Sequence, residues 1–284
     1  MAADVRSADQ ARRFAAQPAR LALVGAGHLA ESLVAGWLAA GMEPSAVSVT
    51  NRERDDRLAR FAAMGLRAER DKARALDGAQ VVVLAVRPVD VDAALAECGP
   101  VWPGGAVLLS LVAGVPTARL SAHLPPATEV VRAMPNTASA VGESATAAWT
   151  RAAAPARAAA DALLSVIGGP VVWLTHEADM DAVTALSGSG PAYVYLLIEA
   201  MVEAAVAEGL AVDAATDLAV QTVIGAARHL RDSGEGAAEL RRRVTSPGGT
   251  TAAAMSVLEA RGFRPALAEA VQTAARRSRQ LGRA

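Results

Sequence analysis

The residues most able to do chemistry begin with Gly25-Ala26-Gly27-His28-Leu29-Ala30, directly after the apolar run Leu21 to Val24. Leu29, Leu33 and Trp37 follow at helical spacing, and Gly41 offers a left-handed stop. A GxGxxA segment between strand and helix is the context in which a dinucleotide is held. Gly25 allows the tight turn, Gly27 lets backbone approach a pyrophosphate, and Ala30 is small enough for helix to pack on strand. The helix N-terminus then offers N–H groups and positive dipole to the phosphates. A second run, Val47 to Thr50, leads into Asn51-Arg52, with no acid until Glu53. An enzyme built for NAD usually carries an acid there for the ribose hydroxyls. Thr50, Asn51 and Arg52 suit a 2′-phosphate instead, so NADPH is expected, with NADH possible. A third run, Val81 to Val86, closes on Arg87-Pro88, so that Ala85, Val86, Arg87 and Pro88 either line the cofactor or merely turn the chain.

Three further segments are rich in small and hydroxyl residues. Val131 to Thr137 follows an apolar run and should form a rigid loop at the cofactor edge. Leu186-Ser187-Gly188-Ser189-Gly190-Pro191-Ala192-Tyr193 enters a helix with Pro near its first turn. In Val244-Thr245-Ser246-Pro247-Gly248-Gly249-Thr250-Thr251, consecutive glycines expose N–H groups and the hydroxyls add donors, which suits a carboxylate. Each alone also reads as a helix cap with turn glycines.

These loops need elements to position them. Leu21–Val24, Val47–Thr50, Val81–Val86, Ala106–Leu111 and Val130–Ala133 are strand-length apolar runs, each expected to be buried on both faces as in a parallel sheet. After Leu174 the strand signal vanishes. Helices are expected over Pro191–Glu208, Asp213–Asp232, Thr250–Ala260 and Pro265–Leu281. The first of these is apolar nearly all round, through Val194, Leu197, Ile198, Met201, Val202, Ala205 and Val206. Such a helix wants cover on several sides, and a second copy of the same domain would supply it more fully than a monomeric bundle. The expected organisation is α/β: a flexible tail over 1–19, a sheet domain over 20–174 and a helical domain over 175–284.

Composition narrows the partners. The 284 residues are 52% hydrophobic with a net charge of −1, which leaves ample core and no electrostatic footprint for nucleic acid or an anionic membrane. A small molecule is the expected ligand. Cys98 is the only cysteine, and His28, His123, His176 and His229 are scattered, so neither a disulfide framework nor a metal site is expected. The tail mixes Asp4 and Asp9 with Arg6, Arg12 and Arg13 and has no signal-like apolar run. The longest apolar stretch, Pro191 to Val206, carries Glu199 and Glu203 and is expected to be too polar to span a membrane. A cytoplasmic protein is expected.

Taken in this order and at these intervals, the four loops closely resemble the pyrroline-5-carboxylate reductases, from about Leu21 to Leu281. SGSGPAY and TSPGGTT are the specific segments; the Gly25 loop is shared with many dehydrogenases. The resemblance implies a Rossmann domain, a helical dimerisation domain, and an active site between them that uses both chains of a homodimer or a larger assembly of dimers. It also implies reduction of pyrroline-5-carboxylate by NAD(P)H in the last step of proline synthesis. On matching positions, Ser246 and the Gly248-Gly249 backbone would hold the substrate carboxylate beside Thr250, and Thr251 would hydrogen-bond the ring nitrogen. The sequence departs from the family pattern at His28, Arg87, Ala138 and Ser144, which stand where an amide or small polar residue, Lys, Pro and Gly are usual.

Reduction of a protonated imine needs register between donor and acceptor more than a strong acid, which fits a chain without a His/Asp or Lys/Asp constellation. A β-hydroxyacid dehydrogenase or imine reductase of similar plan is the runner-up. The hydroxyacid enzymes need a basic residue, typically a lysine on a long helix, and this chain has only Lys72. A non-catalytic NADP sensor is the alternative from another class, and the intact Ser246–Thr251 loop argues against it.

Overall fold

The computed structural model describes residues 20–52 and 55–283; the expected tail over 1–19, and Glu53, lie outside them. Eight strands form one sheet in the order β3-β2-β1-β4-β5-β6-β7-β8. They are β1 (Leu21–Val24), β2 (Val47–Thr50), β3 (Arg67–Glu69), β4 (Val81–Leu84), β5 (Val107–Ser110), β6 (Val130–Met134), β7 (Ala147–Thr150) and β8 (Val172–Trp173). Every pairing is parallel except β6 with β7. The first six strands follow the doubly wound order of a dinucleotide-binding sheet, as the α/β expectation requires.

The apolar runs fold as sheet interior because a strand turns alternate side chains to opposite faces. Leu21 and Leu23 of β1 join one core with Leu33, Trp37, Phe61 and Leu109, while Ala22 and Val24 join the other with Leu76, Leu84, Leu95 and Leu120. Helices therefore cover both faces. The expected strand Val81–Val86 ends at Leu84, so Ala85 and Val86 leave the ladder, and Ala106 and Leu111 flank β5. Three strands lie outside the expected set. β3 is short and charged, β8 has two residues, and Ala147-Ala148-Trp149-Thr150 carries little β-branched signal.

Packing divides the chain into one unit that runs to Ser189 and resumes at Thr273, and a second, Gly190–Gln272. The second unit is helical, with helices Gly190–Ala207, Val212–Ser233, Ala237–Arg243 and Thr250–Ala260 and the start of Phe263–Leu281. Ala237–Arg243, which the sequence had not marked, is only two turns long. Within this unit Ala215 and Ala219 are the buried apolar side chains, whereas Leu196, Ile224 and Val257 are each more than half exposed on the single chain. A turn of wider, i to i+5 helix at Thr184–Gly188 precedes Gly190–Ala207, a feature that often marks functional positions.

The stretch Glu177–Ala207 is, by length and composition, apolar enough to cross a membrane. It carries five acids, Glu177, Asp179, Asp181, Glu199 and Glu203, and a long apolar core helix of a globular protein passes the same test.

Candidate active site

The sheet reverses its winding between β1 and β4, and ligands of such folds bind outside the carboxyl ends of the strands at that point. A cleft of about 350 Å³ opens there. Gly25 forms its floor: its N–H donates to Thr50 O at 2.9 Å, its φ is +108°, and a Cβ would fall 2.5 Å from Ala85 O. No other residue satisfies both the dihedral and the close approach. Gly27 then caps helix His28–Ala39, and a Cβ there would meet only Arg57 Nη1 at 3.7 Å, so the glycine leaves room for something outside the protein. The helix N-terminus opens beside the cleft and presents backbone N–H groups with positive dipole to an anion. A dinucleotide pyrophosphate fits this arrangement.

Of the residues expected at the cofactor, Gly25, Ala26, Gly27, Asn51, Arg52, Ala85, Val86 and Arg87 line the cleft. His28, Leu29, Ala30 and Pro88 do not. His28 is exposed, with Nδ1 3.5 Å from Glu31 Oε2, and Ala30 is fully buried in the core, as its helix-packing role demands. Arg87 forms a two-pronged pair with Asp90, at 2.7 and 3.2 Å, across the turn Pro88–Asp90.

Sequence reasoning missed Arg57, Lys72 and Glu97 as lining residues. Arg57 Nη1 donates to Ala26 O at 3.2 Å and braces the glycine turn. Lys72 Nζ donates to the buried Thr50 hydroxyl at 3.1 Å and faces Glu97 Oε2 at 3.7 Å, while Arg52 Nη1 stands 3.6 Å from Glu97 Oε1. Helix Val91–Cys98, which carries Glu97, is fixed by Asp92, whose carboxylate accepts from Arg119 and lies 3.1 Å from His123 Nε2. The hydrogen bond from Arg119 holds the Asp92 carboxyl below the usual range. Cys98, on the same helix, is buried, and burial pushes its thiol up to about 11, so it is no nucleophile at neutral pH. Among the described residues, no group of three or more His, Cys, Asp or Glu could hold a metal ion.

Two of the remaining motifs meet. Asn136, after β6, uses its side-chain oxygen to accept from Ala138 N–H at 3.0 Å and its amide to donate to Ser187 O at 3.0 Å. Its own N–H donates to Ser144 Oγ at 2.9 Å, so the Ser144 hydroxyl adds a bond to this loop. A Cβ at Gly188 would meet Met134 Sδ at 3.3 Å, which seats the SGSG segment closely on β6. Nearby, the buried Arg132 donates to Glu177 at 2.9 Å, and Glu177 also accepts from the N–H and hydroxyl of Thr117.

The third motif forms its own loop in the helical unit. Gly248 has φ +71°, Gly249 N–H donates to Ser246 O at 3.1 Å, and Gly249 caps helix Thr250–Ala260. A Cβ at Gly249 would fall 2.5 Å from Ser246 Oγ, so the serine hydroxyl lies against bare backbone at a helix N-terminus. Ser246 and Thr250 are exposed and Thr251 is half-buried. Hydroxyls and N–H groups gathered at a positive helix end form a cradle for a carboxylate.

Residues 177–281 match the pyrroline-5-carboxylate reductase dimerisation family, and residues 20–114 match the family described as NADP oxidoreductase coenzyme F420-dependent. The pyrroline-5-carboxylate reductase of Pseudomonas aeruginosa is 38% identical over 92% of this chain and 96% of its own. Among solved structures, a pyrroline-5-carboxylate reductase from Coxiella burnetii is 35% identical with a TM-score of 0.82, over 93% of this chain and 99% of that one. The Plasmodium falciparum pyrroline carboxylate reductase with NADP bound is 25% identical with a TM-score of 0.85, over 93% and 98%.

Proposed function

The chain belongs to the pyrroline-5-carboxylate reductase family, and from that premise we propose that it reduces 1-pyrroline-5-carboxylate to L-proline at the expense of NADPH, with NADH as the alternative donor. The observation that carries this reading is the glycine-floored cleft at the winding reversal of the sheet, in a chain that also holds the Ser246–Thr251 cradle. When bound, the reduced nicotinamide supplies the hydride. The protein's own work is seating and orientation.

The Gly25–Ala30 turn and the N-terminus of helix His28–Ala39 seat the pyrophosphate. Asn51 and Arg52 take the adenosine end, and Ala85, Val86 and Arg87 border the cleft. Ser246 and the Gly248 and Gly249 N–H groups hold the substrate carboxylate, with Thr250 flanking them. Thr251 directs its hydroxyl at the ring nitrogen and is the catalytic residue in that sense. On this reading residues 20–174 bind the cofactor, and residues 175–284 bind substrate and assemble the enzyme as a homodimer or a larger set of dimers in the cytoplasm. A need for a partner copy also explains why Glu177–Ala207 is so apolar without a membrane.

The rival hydroxyacid chemistry calls for a catalytic lysine. The chain's single lysine, Lys72, donates to Thr50 at the adenosine end of the cleft, so that chemistry is disfavoured. The deciding experiment mixes purified protein with pyrroline-5-carboxylate and either reduced cofactor and follows nicotinamide absorbance. Oxidation that depends on the imino acid is the expected result; oxidation with a β-hydroxyacid pair alone would reverse the assignment.

A further inference from the structure

The adenosine end of the cleft contains an acid that the strand end itself lacks. Glu97 comes from helix Val91–Cys98, far along the chain from Asn51-Arg52, yet its two carboxylate oxygens face Arg52 Nη1 at 3.6 Å and Lys72 Nζ at 3.7 Å. Both separations exceed a hydrogen bond, so charge rather than geometry holds the carboxylate. Its side chain is 40% exposed and has room to swing, whereas Lys72 is 12% exposed and tied to Thr50. One fixed cation, one outer cation and a movable anion thus share the place where a cofactor's adenosine ribose is told apart.

We propose that Glu97 sets the choice between NADPH and NADH, by competing with the 2′-phosphate for Arg52 and Lys72 and by accepting hydrogen bonds from the ribose hydroxyls when that phosphate is absent. The inference rests on the cofactor cleft assigned above. A 2′-phosphate brings close to two negative charges and three acceptor oxygens, enough to take both cations from a loosely held carboxylate. Glu97 opposes that arrival as a like charge. A bare ribose offers donors instead, and the carboxylate is then the acceptor that strand β2 does not provide. Glu97 is a specificity-determining residue that discriminates by a repulsive element as well as an attractive one.

The test is a titration of the intact enzyme with NADPH and with NADH, followed by nicotinamide fluorescence without imino acid. Glu97→Gln keeps the shape and removes the charge. It should tighten NADPH and weaken NADH, each by about tenfold, so the ratio of the two dissociation constants moves by on the order of a hundredfold. Lys72→Met should weaken NADPH by about tenfold or more and leave NADH nearly unchanged. A Glu97→Gln protein with an unaltered melting temperature and an unaltered ratio would overturn the role of Glu97 while leaving the cofactor cleft in place. Wild-type protein that binds neither cofactor would overturn the cleft assignment and this inference together.

Discussion

On the sheet-bearing unit, Leu23, Phe61, Leu108 and Leu109 are sealed from solvent by helices on both faces, and the apolar residues of each strand divide between two cores. Between Gly190 and Gln272 the helices are also rich in Leu, Val, Ile and Ala, yet only Ala215 and Ala219 among their apolar residues are buried and Leu196 stands 65% exposed. At about 25 cal/mol per Å² of apolar surface removed from water, one unit has collected its hydrophobic stabilisation within a single chain and the other has not. Contiguous apolar surface left on a folded chain marks an interaction site. Residues 177–281 match a dimerisation family, and on the reading proposed above the occupant of that surface is a second copy. The difference teaches that the sheet unit completes its core within one chain, while on the proposed reading the helical unit completes its own only in the assembly.

The sharpest way to break this contrast is a charge on the uncovered face. Leu196 is 65% exposed on the single chain, so Leu196→Asp would cost a monomer little. In a buried dimer interface an unpaired carboxylate is expensive, and self-association should weaken by on the order of a hundredfold or more. Sedimentation against protein concentration checks it. An assembly of unchanged size would mean that this face is covered by nothing.

The converse experiment acts on the other unit. Phe61 fills the core between helix Asp55–Ala63 and the sheet and is fully buried. Phe61→Ala should cost about 3–5 kcal/mol by leaving a cavity, visible in denaturant unfolding, while the oligomer keeps its size at temperatures where it stays folded. Dissociation of the assembly as the first event would show that the sheet unit is not self-sufficient.

The same asymmetry governs how much of the molecule could be read from its residues. β1, β2, β4, β5 and β6 announce themselves as apolar runs because they are buried on both faces. Arg67-Ala68-Glu69 does not, since an edge strand covered by little has no reason to be apolar. At the site, Gly25, Gly27, Asn51 and Arg52 were legible because the fingerprint and the end of β2 are local signals. Lys72 and Glu97 were not, because only the placement of β1 between β2 and β4 brings them to Arg52. Lys72 carried a clue as the chain's single lysine, and Glu97 carried none. His28 and Pro88 were carried along by their neighbours in the motif, though the side chain of one is in solvent and the other turns the chain.

The smallest effects should come from two hydroxyls of one loop, and they test whether substrate binding is as separable from cofactor binding as the two units suggest. Ser246 Oγ lies against the Gly249 backbone at the start of helix Thr250–Ala260, and on the proposed reading it holds a carboxylate that is the same in substrate and transition state. Ser246→Ala should therefore raise KM by about tenfold and leave kcat nearly unchanged, because uniform binding is what it removes. Thr251, half-buried one residue further into the helix, has on the proposed reading the different task of orienting the ring nitrogen. Thr251→Ala should lower kcat by about tenfold, the worth of one neutral hydrogen bond used in the transition state, and Thr251→Ser should recover most of it by restoring the hydroxyl. In these variants the NADPH dissociation constant should stay within about twofold of wild type, since the proposed pyrophosphate seat is the Gly25 turn of the other unit and the substitutions remove none of its groups. A large change in NADPH affinity from either substitution would show that the helical loop takes part in cofactor binding, and the division of labour between the two units would have to be redrawn.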